Sequence, residues 1–281
     1  MIFKRLALAI SFSPNSKNLL LEAIRLKKLF GAKLFLIHIG EDSIENKNKM
    51  SQLISECSLS DEDYELNWRK GDVEDLIMDF CTEKQIDLLI AGALIKENVF
   101  KYYIGSVARK LMREAPCSVL LLTKGKDINK SFKKICVSVD FSQLSENAVK
   151  IAYEFAKLEE SENLTLVREF QLPGLSSTIY EEENTEDLQK QKHDLLDEEK
   201  EKMKIFIKEL NLNDVNVNYE CLYGKQGWEA SNWVAENHFD LFVIFTPQRR
   251  PKLIDRIFQH DFEFVFKELP SSLLIVKTEL Q

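Results

Sequence analysis

The chain has 281 residues, 44 % of them hydrophobic and 30 % charged, with a net charge of −8. That length builds one large domain or two ordinary ones, and that balance is typical of a soluble globular protein. The Lys and Arg residues are outnumbered and unclustered, which excludes a basic nucleic-acid footprint, and no apolar run reaches the roughly 20 residues that cross a bilayer.

The first element spans residues 3–11, an apolar run that reads as a strand. The N-terminal stretch resembles a secretory leader only superficially. Its apolar run is short and lacks a small-x-small cleavage site, so the expected location is cytoplasmic. Ser13-Pro14 then opens a helix with Leu19, Leu20, Ala23, Ile24 and Leu29 on one face, and Gly31 closes it. Strand 2 is Lys33–Ile39, a short helix covers 44–57, and strand 3 is Tyr64–Trp68. Asp72 is placed to cap the next helix. Strand 4 runs from Asp87 to Gly92, a loop of about a dozen residues follows, and Gly105-Ser106 opens a helix over 105–115. Cys117–Thr123 forms strand 5, and the polar stretch 124–131 reads as a linker.

The same order then recurs. Phe3-Lys-Arg-Leu-Ala-Leu-Ala-Ile-Ser11 matches Phe132-Lys-Lys-Ile-Cys-Val-Ser-Val-Asp140 without a gap. Asp87-Leu-Leu-Ile resembles Asp240-Leu-Phe-Val, and Glu114-Ala-Pro-Cys-Ser-Val-Leu resembles Glu268-Leu-Pro-Ser-Ser-Leu-Leu. A period near 130 residues is a domain duplication rather than a solenoid. The domains are therefore 1–126 and 132–281. The second is predicted as strand 132–140, helix 143–160, strands 163–169 and 214–220, helix 225–237, strand 240–245, a helix before Pro270, and strand 272–277. It also carries an acidic insert over about 171–211, with Glu181–Glu183 followed by a helical pattern from Leu188 to Leu210. A solvated helix start is the plain reading of the acidic run; a docking surface for a basic partner is the sharper one.

Alternating apolar strands and helices predict an α/β fold of two doubly wound domains, each with a parallel sheet covered on both faces. Ligands of such sheets lie outside the carboxyl ends of strands 1 and 4. There Gly92 lets the backbone approach a ligand, and the amides at Gly105, Ser106 and Val107 form the anion-attracting start of a helix.

Three features together resemble a tandem universal stress protein over nearly the whole chain. They are the strand followed by Ser13-Pro-Asn-Ser16 or Asp140-Phe-Ser142, the run Asp87-Leu-Leu-Ile-Ala-Gly92, and Gly105-Ser-Val-Ala108 followed by Ala115-Pro-Cys-Ser-Val-Leu. The resemblance implies that each domain is Rossmann-like with a five-stranded parallel sheet in the order 3-2-1-4-5, and that the two domains pair through strand 5 within one chain, so that Cys117–Thr123 meets Ser272–Lys277. A further homodimer and a protein partner are compatible with it. Neither nucleic acid nor membrane is expected. ATP-binding members carry Gly-x-x-Gly, nine residues, then Gly-Ser or Gly-Thr. Here Gly92 and Gly105-Ser106 keep the spacing, Ile95 replaces the second glycine, and Ser11-Phe12 replaces the strand-1 Asp-Gly. In the second domain Asp140 is kept, but Phe245 replaces the first glycine and 240–270 contains none. Ser13, Ile39, Gly92, Gly105, Ser106 and Val107 are thus the candidate nucleotide contacts. ATP in the first domain is the only cofactor candidate.

Signals for catalysis are weak. His38-Ile-Gly-Glu41 and Lys49-Met-Ser-Gln52 resemble pieces of adenylyl-transfer signatures, but they sit in the wrong places in the strand order. No P-loop or nucleophile elbow is present, and the four histidines have no metal-ligand spacing. Asp140, at a strand end, is the one acid/base candidate, and it reads more plainly as a residue that caps the following helix or bonds loop amides. The five cysteines are scattered and read as core residues rather than disulfides. The expected function is a non-enzymatic, stress-linked binding or signalling module with at most a partial nucleotide site. The alternative is an ATP-binding protein with slow hydrolysis or autophosphorylation in the first-domain crevice.

Overall fold

The computed structural model describes residues 2–95, 102–103, 105–123, 131–171, 186–225, 227–247 and 269–278. The predicted helix before Pro270, the acidic run at 181–183 and most of the 124–131 linker lie outside them. Two compact units emerge: Met1–Ser131 with Ser272–Lys277, and Phe132–Ser271 with Thr278–Gln281.

The first unit begins with β1 (Arg5–Ala9), α1 (Ser16–Phe30), β2 (Lys33–Ile39) and α2 (Ile44–Glu56). A 3-10 turn at Asp61–Asp63 leads to β3 (Tyr64–Arg69), α3 (Val73–Glu83) and β4 (Leu88–Gly92). Two short strands follow, β5 (Leu94–Ile95) and β6 (Tyr102–Tyr103), then α4 (Ser106–Glu114) and β7 (Ser118–Leu122). The second unit holds β8 (Lys134–Ser138), α5 (Gln143–Leu158), β9 (Asn163–Phe170), α6 (Glu186–Leu210), β10 (Val217–Tyr223), α7 (Trp228–Glu236) and β11 (Leu241–Pro247). The last strand is β12 (Ser272–Thr278).

In the first unit β1, β2, β3, β4 and β7 are parallel, in the expected order 3-2-1-4-5 counted along that repeat. In the second, β10, β9, β8 and β11 repeat the first four places of that order. The predicted strand-5 pairing is present: β12 runs antiparallel to β7 with Leu273 opposite Leu121, Leu274 opposite Leu120 and Ile275 opposite Val119. All six of these residues are fully buried, at 0 % exposure. The closing strand of the second repeat is thus built into the first unit.

The shared Asp-Leu motif has a structural explanation. The Asp87 carboxylate accepts the Lys4 and Arg5 amides at 2.7 and 3.0 Å, and Asp240 accepts those of Lys133 and Lys134 at 2.8 and 2.9 Å. Each aspartate ties the amino end of its unit's first strand to the fourth. Gly31 takes the left-handed conformation that ends α1 (φ 60°), and Asp72 caps α3 by accepting the Asp75 amide at 3.0 Å.

Several boundaries differ from expectation. α1 starts at Ser16 rather than at Ser13-Pro14, because the Ser16 hydroxyl turns back to the Ser11 carbonyl and first forms a turn. The dozen-residue loop after Gly92 contains a two-stranded ribbon, with Leu94 opposite Tyr103 and Ile95 opposite Tyr102. β10 begins three residues later than predicted, at Val217. The helix of the acidic insert packs on its own unit: Met203 and Phe206 are buried, and the Arg168 guanidinium of β9 holds the buried Glu199 carboxylate at 2.7 Å.

Candidate functional site

A cavity of about 620 Å³ opens at the carboxyl ends of the central strands of the first unit. It lies within the range of about 300–1,000 Å³ usual for small-molecule sites. All six residues singled out from the sequence line it: Ser13, Ile39, Gly92, Gly105, Ser106 and Val107.

One wall is apolar. Ile37 and Ile39 alternate inward from β2, and Val73 and Ile77 face the cavity from α3. Leu19 of α1 closes the bottom against Gly92, so closely that a Cβ on residue 92 would stand 2.6 Å from Leu19 Cδ1. The opposite wall is the first turn of α4, Gly105–Ala108. Gly105 is its N-cap with an extended backbone (φ −65°, ψ 166°) and no side-chain cap. The amides that open a helix have no intrahelical acceptor, and the helix dipole makes that end electropositive. Ser13 is fixed by Ser16: the Ser13 amide donates to Ser16 Oγ at 3.0 Å, and the two hydroxyls are 3.0 Å apart. None of the described lining residues is ionisable. The chemistry on offer is therefore a flat apolar slot beside a row of main-chain donors, suited to a ring system carrying an anion.

Ser11, at the position of the resembled family's aspartate, also lines the cavity. Phe12 turns to His38, with ring centroids 4.7 Å apart, and the His38 ring lies 4.4 Å from Trp68. His38 is buried and donates from Nδ1 to the Ile10 carbonyl at 2.9 Å, which makes it a structural histidine, as its apolar strand implies. Ile95 holds its backbone in β5; its side chain lies outside the described residues.

The strand registers place Ile39 and Glu169 at equivalent positions, and likewise Gly92 and Phe245. The second unit therefore differs where the first has its cavity. Phe245 is 5 % exposed. Glu169 is buried, and its carboxylate accepts the Gly227 and Ala230 amides, both at 2.8 Å. Burial pushes its carboxyl above the usual range, against the pull of those amides. Sequence reasoning missed Glu169; the signal was an acid at the position of Ile39 near the end of the repeated second strand. Asp140 bonds a loop amide, accepting that of Ser142 at 2.9 Å, while the cap of α5 is Ser142 itself, whose hydroxyl accepts the Ser145 amide at 3.2 Å. All five cysteines are buried and free. Among the described residues no metal-holding cluster exists, and no helix is long and apolar enough to cross a membrane.

A family model described as the universal stress protein family matches residues 2–123 and again 131–277. No curated protein matches the sequence. Among solved structures, a protein of unknown function from Pseudomonas aeruginosa PAO1 is similar, with 16 % identity, a TM-score of 0.72, and coverage of 98 % of this chain and 92 % of that one. A universal stress protein from Archaeoglobus fulgidus DSM 4304 is also similar, with 14 % identity, a TM-score of 0.70, and coverage of 97 % and 98 %. At these identities the likeness is one of fold.

Proposed function

The chain belongs to the universal stress protein family, and we propose that it is a non-enzymatic, stress-linked binding module whose ligand is an adenine nucleotide held in the cavity of the first unit. The observation that carries this reading is the cavity itself, where the apolar wall of Ile37, Ile39, Val73 and Ile77 faces the open amides of α4. The wall suits a purine, and the amides suit a phosphate. The lack of an ionisable side chain among the described lining residues supports binding without chemistry, since general acid–base catalysis needs a titratable group within reach. The second unit, with Glu169 and Phe245 at the equivalent positions, is assigned a structural role. Signalling runs through a protein partner in the cytoplasm.

Calorimetric titration of the full chain with ATP, ADP and AMP, with and without magnesium, tests the reading. Micromolar binding to one site, lost in Gly105→Trp, is the expected result. No heat at millimolar nucleotide would overturn it. Steady release of phosphate from bound ATP would replace the non-enzymatic reading with that of a slow ATPase.

A further inference from the structure

We infer that Lys277 is a positioning residue for the amide cradle of α4, acting on that helix from its far end; the inference rests on the nucleotide reading of the cavity. α4 is only nine residues long. Its first turn lines the cavity, and its last-turn carbonyl at Arg113 accepts a hydrogen bond from Lys277 Nζ at 3.0 Å. The last carbonyls of a helix have no intrahelical donor, and a cation there also meets the negative end of the dipole. Lys277 thus secures the end opposite to the one that would hold the anion.

Lys277 is itself fixed. Its amide donates to Ser118 Oγ at 3.2 Å, and its strand is paired with β7. β7 is paired in turn with β4 up to Gly92 opposite Leu122, and Gly92 is part of the cavity. The lysine therefore refers the helix to the same sheet that carries the cavity floor. The second tie of α4 is the ion pair from Lys110 to Asp75 of α3, at 2.8 Å, in the helix whose Val73 and Ile77 form the apolar wall. These two ties, one to the sheet and one to α3, help to fix a helix too short to be held by its own ladder. Removing Lys277 takes away the tie to the sheet at the helix's carboxyl end. The second repeat, which has lost the glycines of the nucleotide pattern, still serves the first repeat's site through its last strand.

The test compares the full-length wild type with Lys277→Met, which keeps the apolar stem, and Lys277→Arg, which keeps the donor. Three readouts are taken: amide hydrogen exchange over residues 106–114, ATP affinity, and the ATP-induced shifts of the Ser106 and Val107 amide resonances. The methionine variant is expected to exchange faster in α4, to bind ATP about threefold more weakly, the size expected of one cation at a helix end, and to show altered Ser106 and Val107 shifts. Arginine restores all three. Unchanged exchange in Lys277→Met overturns the inference, and so does faster exchange with unchanged affinity and shifts. A wild type that binds no ATP refutes the nucleotide reading alone; α4 exchange in the methionine variant then still decides whether Lys277 holds the helix.

Discussion

Leu19 of α1 occupies the space into which a side chain on residue 92 would grow, 2.6 Å from where its Cβ would stand. Both residues line the cavity, so the glycine that ends β4 matters twice, for sheet-to-helix packing and for the volume left to a ligand. Gly92→Val is expected to push Leu19 toward the cavity, with an overpacking cost of about 1–3 kcal/mol. Nucleotide binding should be lost while circular dichroism stays that of the wild type. Retained affinity in the valine variant would show that the ligand does not use this corner.

The pairing of β12 with β7 makes a second prediction. Leu274 lies opposite Leu120, and both are fully buried. Leu274→Ala should cost about 2–5 kcal/mol, as other large-to-small core changes do. Hydrogen exchange should show the loss in β7 and β4, in the first repeat, although the substitution is in the second. Protection in β7 equal to that of the wild type would contradict the placement of the strand.

The order of strands and helices was legible in the sequence because each element carries a local mark: an apolar run, a cap such as Asp72, a stop such as Gly31. The repeat made the reading firmer by supplying each half twice. Glycine spacing located one side of the cavity. Other features were set by contacts distant in sequence. The joining of Ser272–Lys277 to the first unit was expected from the family resemblance alone, since nothing local in the strand marks it. Glu169 looks like an ordinary strand end until α7, some sixty residues later, presents its amides. The start of α1 was misplaced because Ser16 Oγ, rather than the cap expected around Ser13, organises the turn.

Glu169 leads to a third prediction. Glu169→Ala leaves the Gly227 and Ala230 amides without their acceptor in a buried place, at a cost of roughly 1–3 kcal/mol. The effect should also depend on pH. Burial raises the carboxyl in the folded state above its unfolded value of 4.5. The stabilisation tied to its protonation is therefore complete below pH 4.5 and declines as pH rises through the folded-state pKa. Urea unfolding of the wild type and Glu169→Ala should show a wider gap at pH 4 than at pH 7. An equal or narrower gap at pH 4 would contradict the assignment.

Glu199 of α6 should behave in the opposite sense. Burial raises its carboxyl, but hydrogen bonds and charge from Lys202 and Arg168 outweigh that and bring it below the usual carboxylate range. A lowered folded-state value gives stability that is present above 4.5 and lost as pH falls through the folded-state pKa. Arg168→Ala leaves Lys202, at 2.8 Å, as the remaining partner of a carboxylate only 6 % exposed. A loss of about 1–2 kcal/mol is expected, less than for a fully buried pair. Exchange in α6 should rise in that variant and, in the wild type, on acidification. Protection that survives both would mean that Met203 and Phe206 alone hold the helix.

The most direct measurement for the cavity is a crystal structure of the full chain grown with ATP. The account predicts density in the first unit, with the purine against Ile39 and Val73 and phosphate oxygens within hydrogen-bond distance of the Ser106 and Val107 amides. A crevice empty at saturating ATP, or nucleotide bound only in the second unit, would contradict it.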